Sequence, residues 1–210
     1  MQESKEISAY RQSLRDKILR TAMRAFARKG IRAVKMDDIA RQLVISKRTL
    51  YELYDNKELL LLEGVKRLKS AKEREMVVTM SRSRNVMDII LYIYKVKVDE
   101  FKQVNPLFYE DIKKYPTVKR FFDDDKQNST RRMQQFLSRG VAEGYFRRDL
   151  DYDLVLKTFD LEMNEIIQTQ LYLKYSIEDI FRNIIFVKLR GICTPMGVSA
   201  LDTFQDALTK

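Results

Sequence analysis

The chain has 210 residues, 45% apolar and 33% charged, which suits one or two globular domains with a real core. It has no histidine and one cysteine, Cys193, which excludes a Ser-His-Asp triad, a Cys-His dyad, an ordinary zinc site and an internal disulfide framework. The net charge is +10, and residues 1–72 hold nearly all of it: 18 Lys and Arg face 9 Asp and Glu there, against 22 and 21 in the remainder. That asymmetry points to an N-terminal module for a polyanion and a near-neutral remainder with a separate task.

Only six glycines and three prolines interrupt the chain, which favours an all-α fold. The N-terminus lacks the apolar stretch of a signal peptide. The longest apolar run, IILYIY at 89–94, is far below the roughly 18 residues that span a bilayer. A cytoplasmic protein with no membrane partner is expected.

The first helix opens on a capping-box pattern, Ser13-Leu14-Arg15-Asp16. Leu14, Ile18, Ala22, Ala25 and Phe26 share one face, and Lys17, Arg20, Arg24 and Arg28 the opposite one. Gly30 ends it as a natural C′ residue. A second, short helix spans 36–43, with Asp37 and Asp38 in its favourable first turn and Ile39, Ala40 and Leu43 as its apolar positions. Val44 and Ile45 separate it from Ser46, a good N-cap for a third helix, and the three parts make a helix-turn-helix over about 35–54.

On the third helix Leu50, Leu53 and Tyr54 form the packed side, and Lys47, Arg48 and Tyr51 project from the other. Exposed cations in a first turn cost a few tenths to about 1 kcal/mol against the helix dipole. One bidentate base contact contributes roughly 1–3 kcal/mol of discrimination, so placement at the reading end of a recognition helix outweighs that cost. A fourth helix begins at Asp55-Asn56-Lys57-Glu58, with Asp55 as cap and Glu58 at N3. Lys57 in its first turn, together with the helix N-terminus, would attract a phosphate.

The stretch KMDDIARQLVISKRTLYELYDNKELL resembles the DNA-binding signature of the TetR family of transcriptional regulators. The matching positions are Ile39-Ala40, Ile45-Ser46, Thr49-Leu50-Tyr51, Tyr54 and Lys57-Glu58-Leu59-Leu60, within about 13–62. The sequence departs from the family pattern at Lys35, where Ser or Thr is usual, and at Val44 and Arg48, where Gly is common. The resemblance implies that Lys47, Arg48 and Thr49 face bases. It implies that Ser46, Tyr51 and Lys57 hold phosphates, with Lys35 and Met36 near the DNA backbone. It also implies a helix-turn-helix domain over 1–72 and a helical effector-binding and dimerisation domain over 73–210.

Further helices are expected at 85–104, up to Pro116, at 117–143, at 152–174 and at 177–193, the last capped by Ser176-Ile177-Glu178-Asp179. The tail from 194 reads as weakly structured or a short helix. Ile177, Ile180, Phe181, Ile184, Ile185, Val187, Leu189 and Ile192 cover more of the last long helix than the stripe of about 100° that one core needs. The surplus, with the resemblance, implies a homodimer through about 152–193. Tyr92, Tyr94, Phe101, Phe108, Tyr109, Phe121 and Phe136 could line an effector cavity, though such residues are more often core, and no ligand residue is assigned. No metal, cofactor or catalytic residue is expected. The function expected is a homodimeric, sequence-specific repressor of duplex DNA with a palindromic operator and a small-molecule effector. The alternative is a basic helical module that binds nucleic acid or anionic surfaces without sequence preference.

Overall fold

The computed structural model describes residues 2–209, with side-chain surroundings for residues 8–206. Among these the fold is all-α. Thirteen helices follow one another: α1 Gln2–Lys29, α2 Met36–Leu43, α3 Lys47–Leu53, α4 Lys57–Arg82, α5 Val86–Gln103, α6 Leu107–Ile112, α7 Pro116–Asp124, α8 Lys126–Ala142, α9 Tyr152–Gln168, α10 Leu171–Lys174, α11 Ile177–Ile180, α12 Phe186–Ile192 and α13 Pro195–Thr209. A π-helical segment, Phe181–Ile185, joins α11 to α12. No helix is long and apolar enough to cross a membrane among the described residues.

The chain forms two compact units. One takes residues through Arg74 together with Gln103–Asp123; the other takes Glu75–Lys102 and the chain from Asp124 onward. The division expected near residue 72 did not include the return of 103–123 to the N-terminal unit.

In the first unit Ile18, Ala22, Phe26, Ile39, Leu50, Leu60 and Leu61 are fully or almost fully buried in one core with Phe108 and Val118. The α1 stripe therefore packs as its spacing predicts, and Lys17, Arg20, Arg24 and Arg28 are exposed. The helix starts far upstream of Ser13, however, which lies in its interior. Residues 2–12 contain neither glycine nor proline, so no local signal stops the helix from extending. Gly30 ends it at φ +82, where an added Cβ would lie 3.0 Å from Leu107 Cβ. The segment 103–123 caps that end: Asn105 N–H donates to the Ala27 carbonyl at 2.7 Å, and the buried Asp111 carboxylate accepts from Arg32 N–H at 2.8 Å. At the start of α4 the cap is Asn56, whose side chain accepts from Leu59 N–H at 2.9 Å, not Asp55. Glu58 turns instead to Thr117, accepting from its N–H and hydroxyl at 2.8 and 2.7 Å.

The second unit surrounds Val86, Ile90, Tyr94, Val98, Leu137, Phe146, Phe186, Ile192 and Leu201. Tyr94 lies at its centre, with ring centroids 5.1–5.5 Å from Phe181, Phe186 and Phe204. The aromatics proposed for one cavity thus divide between two cores, with Phe108, Tyr109 and Phe121 in the first and Tyr94 and Phe136 in the second. Gly140 permits the close approach of Phe146, whose ring would lie 2.0 Å from an added Cβ.

Three long helices read from the sequence are interrupted. The 117–143 segment breaks at Asp125, because Asp123, Asp124 and Asp125 oppose the dipole at a helix C-terminus and suit the start of the next helix. The 152–174 segment breaks at Thr169-Gln170, where Gln170 adopts φ 55. The 177–193 segment keeps its Ser176 cap, which accepts from Asp179 N–H at 3.0 Å, but passes through the π segment. The tail is helical through Thr209. Cys193 is buried beside Phe146, and burial pushes its thiol up to about 11, which leaves it protonated and inert.

Candidate nucleic-acid interface

The helix-turn-helix is assembled by local hydrogen bonds. Lys35 is extended at the α2 N-cap and cannot cap with its side chain; the Asp38 carboxylate at N3 accepts from Lys35 N–H at 3.0 Å. At the other end Val44 is left-handed at φ 55, with Ile45 N–H on the Ala40 carbonyl and Val44 N–H on Arg41. This is a Schellman turn with a β-branched residue where glycine is usual. Val44 is 93% exposed, so no packing compensates for its backbone conformation. Ser46 then caps α3, its hydroxyl accepting from Thr49 N–H at 3.0 Å and lying 2.8 Å from Thr49 Oγ1. Fully buried Leu50 anchors α3 on the core and fixes its rotation.

With α3 held so, Lys47, Arg48 and Tyr51 are exposed and Thr49 is half-buried. Lys47 Nζ lies 2.5 Å from Asp37 Oδ2 in α2, and Arg48 Nε donates to Glu52 Oε1 at 2.9 Å. Lys35 and Ser46 are exposed. Met36, the first residue of α2, is buried. Lys57 is half-buried, and its ammonium donates to the carbonyls of Ile31 and Val34, both at 3.0 Å. Burial lowers its pKa, Arg32 adds to the effect, and Asp111 opposes it. Two of its three donors thus staple the turn between α1 and α2. That role is not visible in the residue's position in the sequence, because its partners are backbone carbonyls more than twenty residues away.

An ion-pair network braces α1 against α4. Arg15 donates to Glu63 at 2.6 Å and lies 4.5 Å over the Tyr54 ring, while Arg67 bridges Asp16 and Glu63. Burial, and then the Glu63 carboxylate, hold the Tyr54 phenol far above its usual range. Sequence reasoning missed this network and the pairings of Lys47 with Asp37 and of Arg48 with Glu52. Of these, the i,i+4 spacing of Arg48 and Glu52 was a legible signal.

A capped, exposed, cation-bearing helix behind a short turn defines the chain as a helix-turn-helix DNA-binding protein. Residues 18–63 match the model of the bacterial regulatory proteins of the tetR family. The HTH-type transcriptional repressor KstR2 of Mycobacterium tuberculosis is 30% identical over 153 residues, covering 69% of this chain and 75% of that one. KstR2 of Rhodococcus jostii is 27% identical over 148 residues, covering 68% and 72%. The chain belongs to the TetR family and is a DNA-binding transcriptional regulator, not an enzyme. The fold agrees. The structure of the ketosteroid transcriptional regulator KstR2 of M. tuberculosis matches 86% of this chain and 95% of its own with a TM-score of 0.54 at 23% identity. A transcriptional regulator from Saccharomonospora viridis in complex with choline matches 87% and 99% with a TM-score of 0.67 at 18% identity.

Proposed function

We propose that the chain is a homodimeric repressor that reads a two-fold symmetric operator and is released by a small-molecule effector. The observation that carries the reading is the orientation of α3: Leu50 is buried while Lys47, Arg48 and Tyr51 stand exposed. Lys47, Arg48 and Thr49 face bases. Ser46, Tyr51, Lys35 and the backbone at Met36 meet phosphates, and the remaining donor of Lys57 does the same. Residues 1–72 are the DNA-binding domain, with 103–123 packed on them, and the rest of 73–210 holds effector and partner.

The dimer reading is supported by α9 and α12, which are joined by Lys188 Nζ to Glu162 at 2.7 Å yet leave Leu154, Leu161 and Val187 60–63% exposed. A second copy would cover them and set two recognition helices about 34–36 Å apart on one face of the DNA. The effector would act by linkage, binding better to the state whose recognition helices do not fit the operator. The names of the relatives, one a ketosteroid regulator and one a complex with choline, fit such a ligand in the helical unit. A regulator of this kind works in the cytoplasm, where its DNA lies.

The roles within α3 are tested by substitution. Arg48→Ala is expected to change which base pair is preferred at one position. Tyr51→Phe is expected to weaken binding to all duplexes alike, as loss of a phosphate contact does. Competition binding against a panel of single-base-pair variants checks both; equal losses on every duplex for Arg48→Ala would remove that residue from base readout.

A further inference from the structure

The two leading cations of α3 are engaged differently. Lys47 reaches back to Asp37 of α2, so its ammonium is held by a neighbouring element. Arg48 is held from within its own helix, and only by Nε, which donates to Glu52 Oε1 at 2.9 Å. Among the described residues no partner engages its Nη1 or Nη2, and its side chain is 89% exposed. An exposed i,i+4 pair of this kind adds little to stability. A carboxylate on the DNA-facing helix also repels the phosphate backbone. Glu52 is therefore costly for affinity and nearly worthless for folding, unless its use is to orient Arg48.

The chemistry fits that use. A guanine edge in the major groove offers two acceptors, O6 and N7, and an arginine reads both with two parallel N–H donors. Anchoring Nε fixes the guanidinium plane and leaves the outer pair of nitrogens as the fork. Resting on the reading of α3 as the recognition helix, we propose that Glu52 is a positioning and specificity-determining residue. It holds Arg48 by Nε so that Nη1 and Nη2 meet a guanine. Where no guanine lies opposite, its charge remains as a repulsive element, so discrimination comes from both sides.

A double-mutant cycle on the full chain tests this. The probes are the duplex that the wild type enriches from random DNA and the same duplex with the G·C pair read by Arg48 replaced. Glu52→Gln is expected to bind the replaced duplex more tightly than wild type does and to lose about twofold to tenfold in discrimination, the size of immobilising one long side chain. Its thermal midpoint should not move. In an Arg48→Ala background the same Glu52→Gln change should shift both duplexes by one factor. The proposal is overturned if Glu52→Gln, with Arg48 present, tightens both duplexes equally, since that is charge repulsion alone. It is also overturned if the loss of discrimination persists without Arg48. Failure of the wild type to enrich any duplex would take down the recognition-helix reading and this proposal with it. An enriched site indifferent to Glu52→Gln would take down the proposal only.

Discussion

Val44 holds a left-handed conformation that costs a β-branched L-residue roughly 1–2 kcal/mol. The turn demands it, because the Schellman hydrogen bonds from Val44 and Ile45 close α2 and set the entry to Ser46. The sequence departs here from the glycine usual in the family, and the structure keeps the left-handed turn with a β-branched residue in it. Glycine would relieve the strain while adding about 0.5–1 kcal/mol of chain entropy to lose on folding. Val44→Gly is therefore expected to stabilise the protein by about 0.5–1 kcal/mol and raise its melting temperature by about 2 °C. Calorimetry checks it, and a lower melting temperature would mean that exposed Val44 packs in a way its 93% exposure does not show. The residues of the helix-turn-helix were readable because each carries a local cue: Ser46 caps, Asp38 sits at N3, and Leu50 repeats the core period. Lys57 was half readable. Its position in the first turn was clear, but its two carbonyl partners, Ile31 and Val34, follow from how the chain folds back.

At the scale of elements, α1 and α4 are held by Arg15, Glu63, Arg67 and Asp16 as well as by the core. Burial pushes the Glu63 carboxyl up, but the Arg15 hydrogen bond and charge, with Tyr54 and Arg67, outweigh it and hold the pKa below 4.5. A depressed carboxyl stabilises the fold at pH above its unfolded value and loses that contribution as pH falls through its folded value. Wild type should therefore melt above Glu63→Gln at pH 6, with the gap closing as pH is taken below about 4.5 toward 3. A gap of constant size across that range would show that the carboxylate's charge is not what the brace uses. Elements were less legible than residues where helices meet end to end. No proline or glycine marks where α8 starts afresh after Asp125 or where α9 stops before Gln170; the first junction carries only the weaker cue of the Asp123-Asp124-Asp125 run. Conversely, Ser13 offered a capping-box pattern that the helix ignores, because the residues before it also favour helix.

For the whole molecule, the charge asymmetry in the sequence pointed to a boundary near residue 72, and the structure divides into two compact units. What the linear reading could not see is that residues 103–123 return to the first unit, with Asp111 on the Arg32 N–H and Asn105 on Ala27. Such long-range joins leave no periodic trace. The exposed apolar residues of α9 and α12 carry the dimer reading. Leu161→Glu, at a site 63% exposed in the single chain, should leave the fold intact and shift the protein from dimer to monomer in analytical ultracentrifugation. Operator affinity should fall by about tenfold or more, since two linked half-sites become one. An unchanged dimer would place the interface elsewhere.

The proposed role of α3 is to read sequence as one of a symmetric pair. Selection of the purified chain against a pool of random duplex DNA, with sequencing of the retained fraction, tests it most directly. Enrichment of a site with two-fold symmetry, its half-sites about one helical turn apart, is the expected result. Retention of duplexes without sequence preference would contradict it, and would leave a basic domain that binds DNA by charge alone.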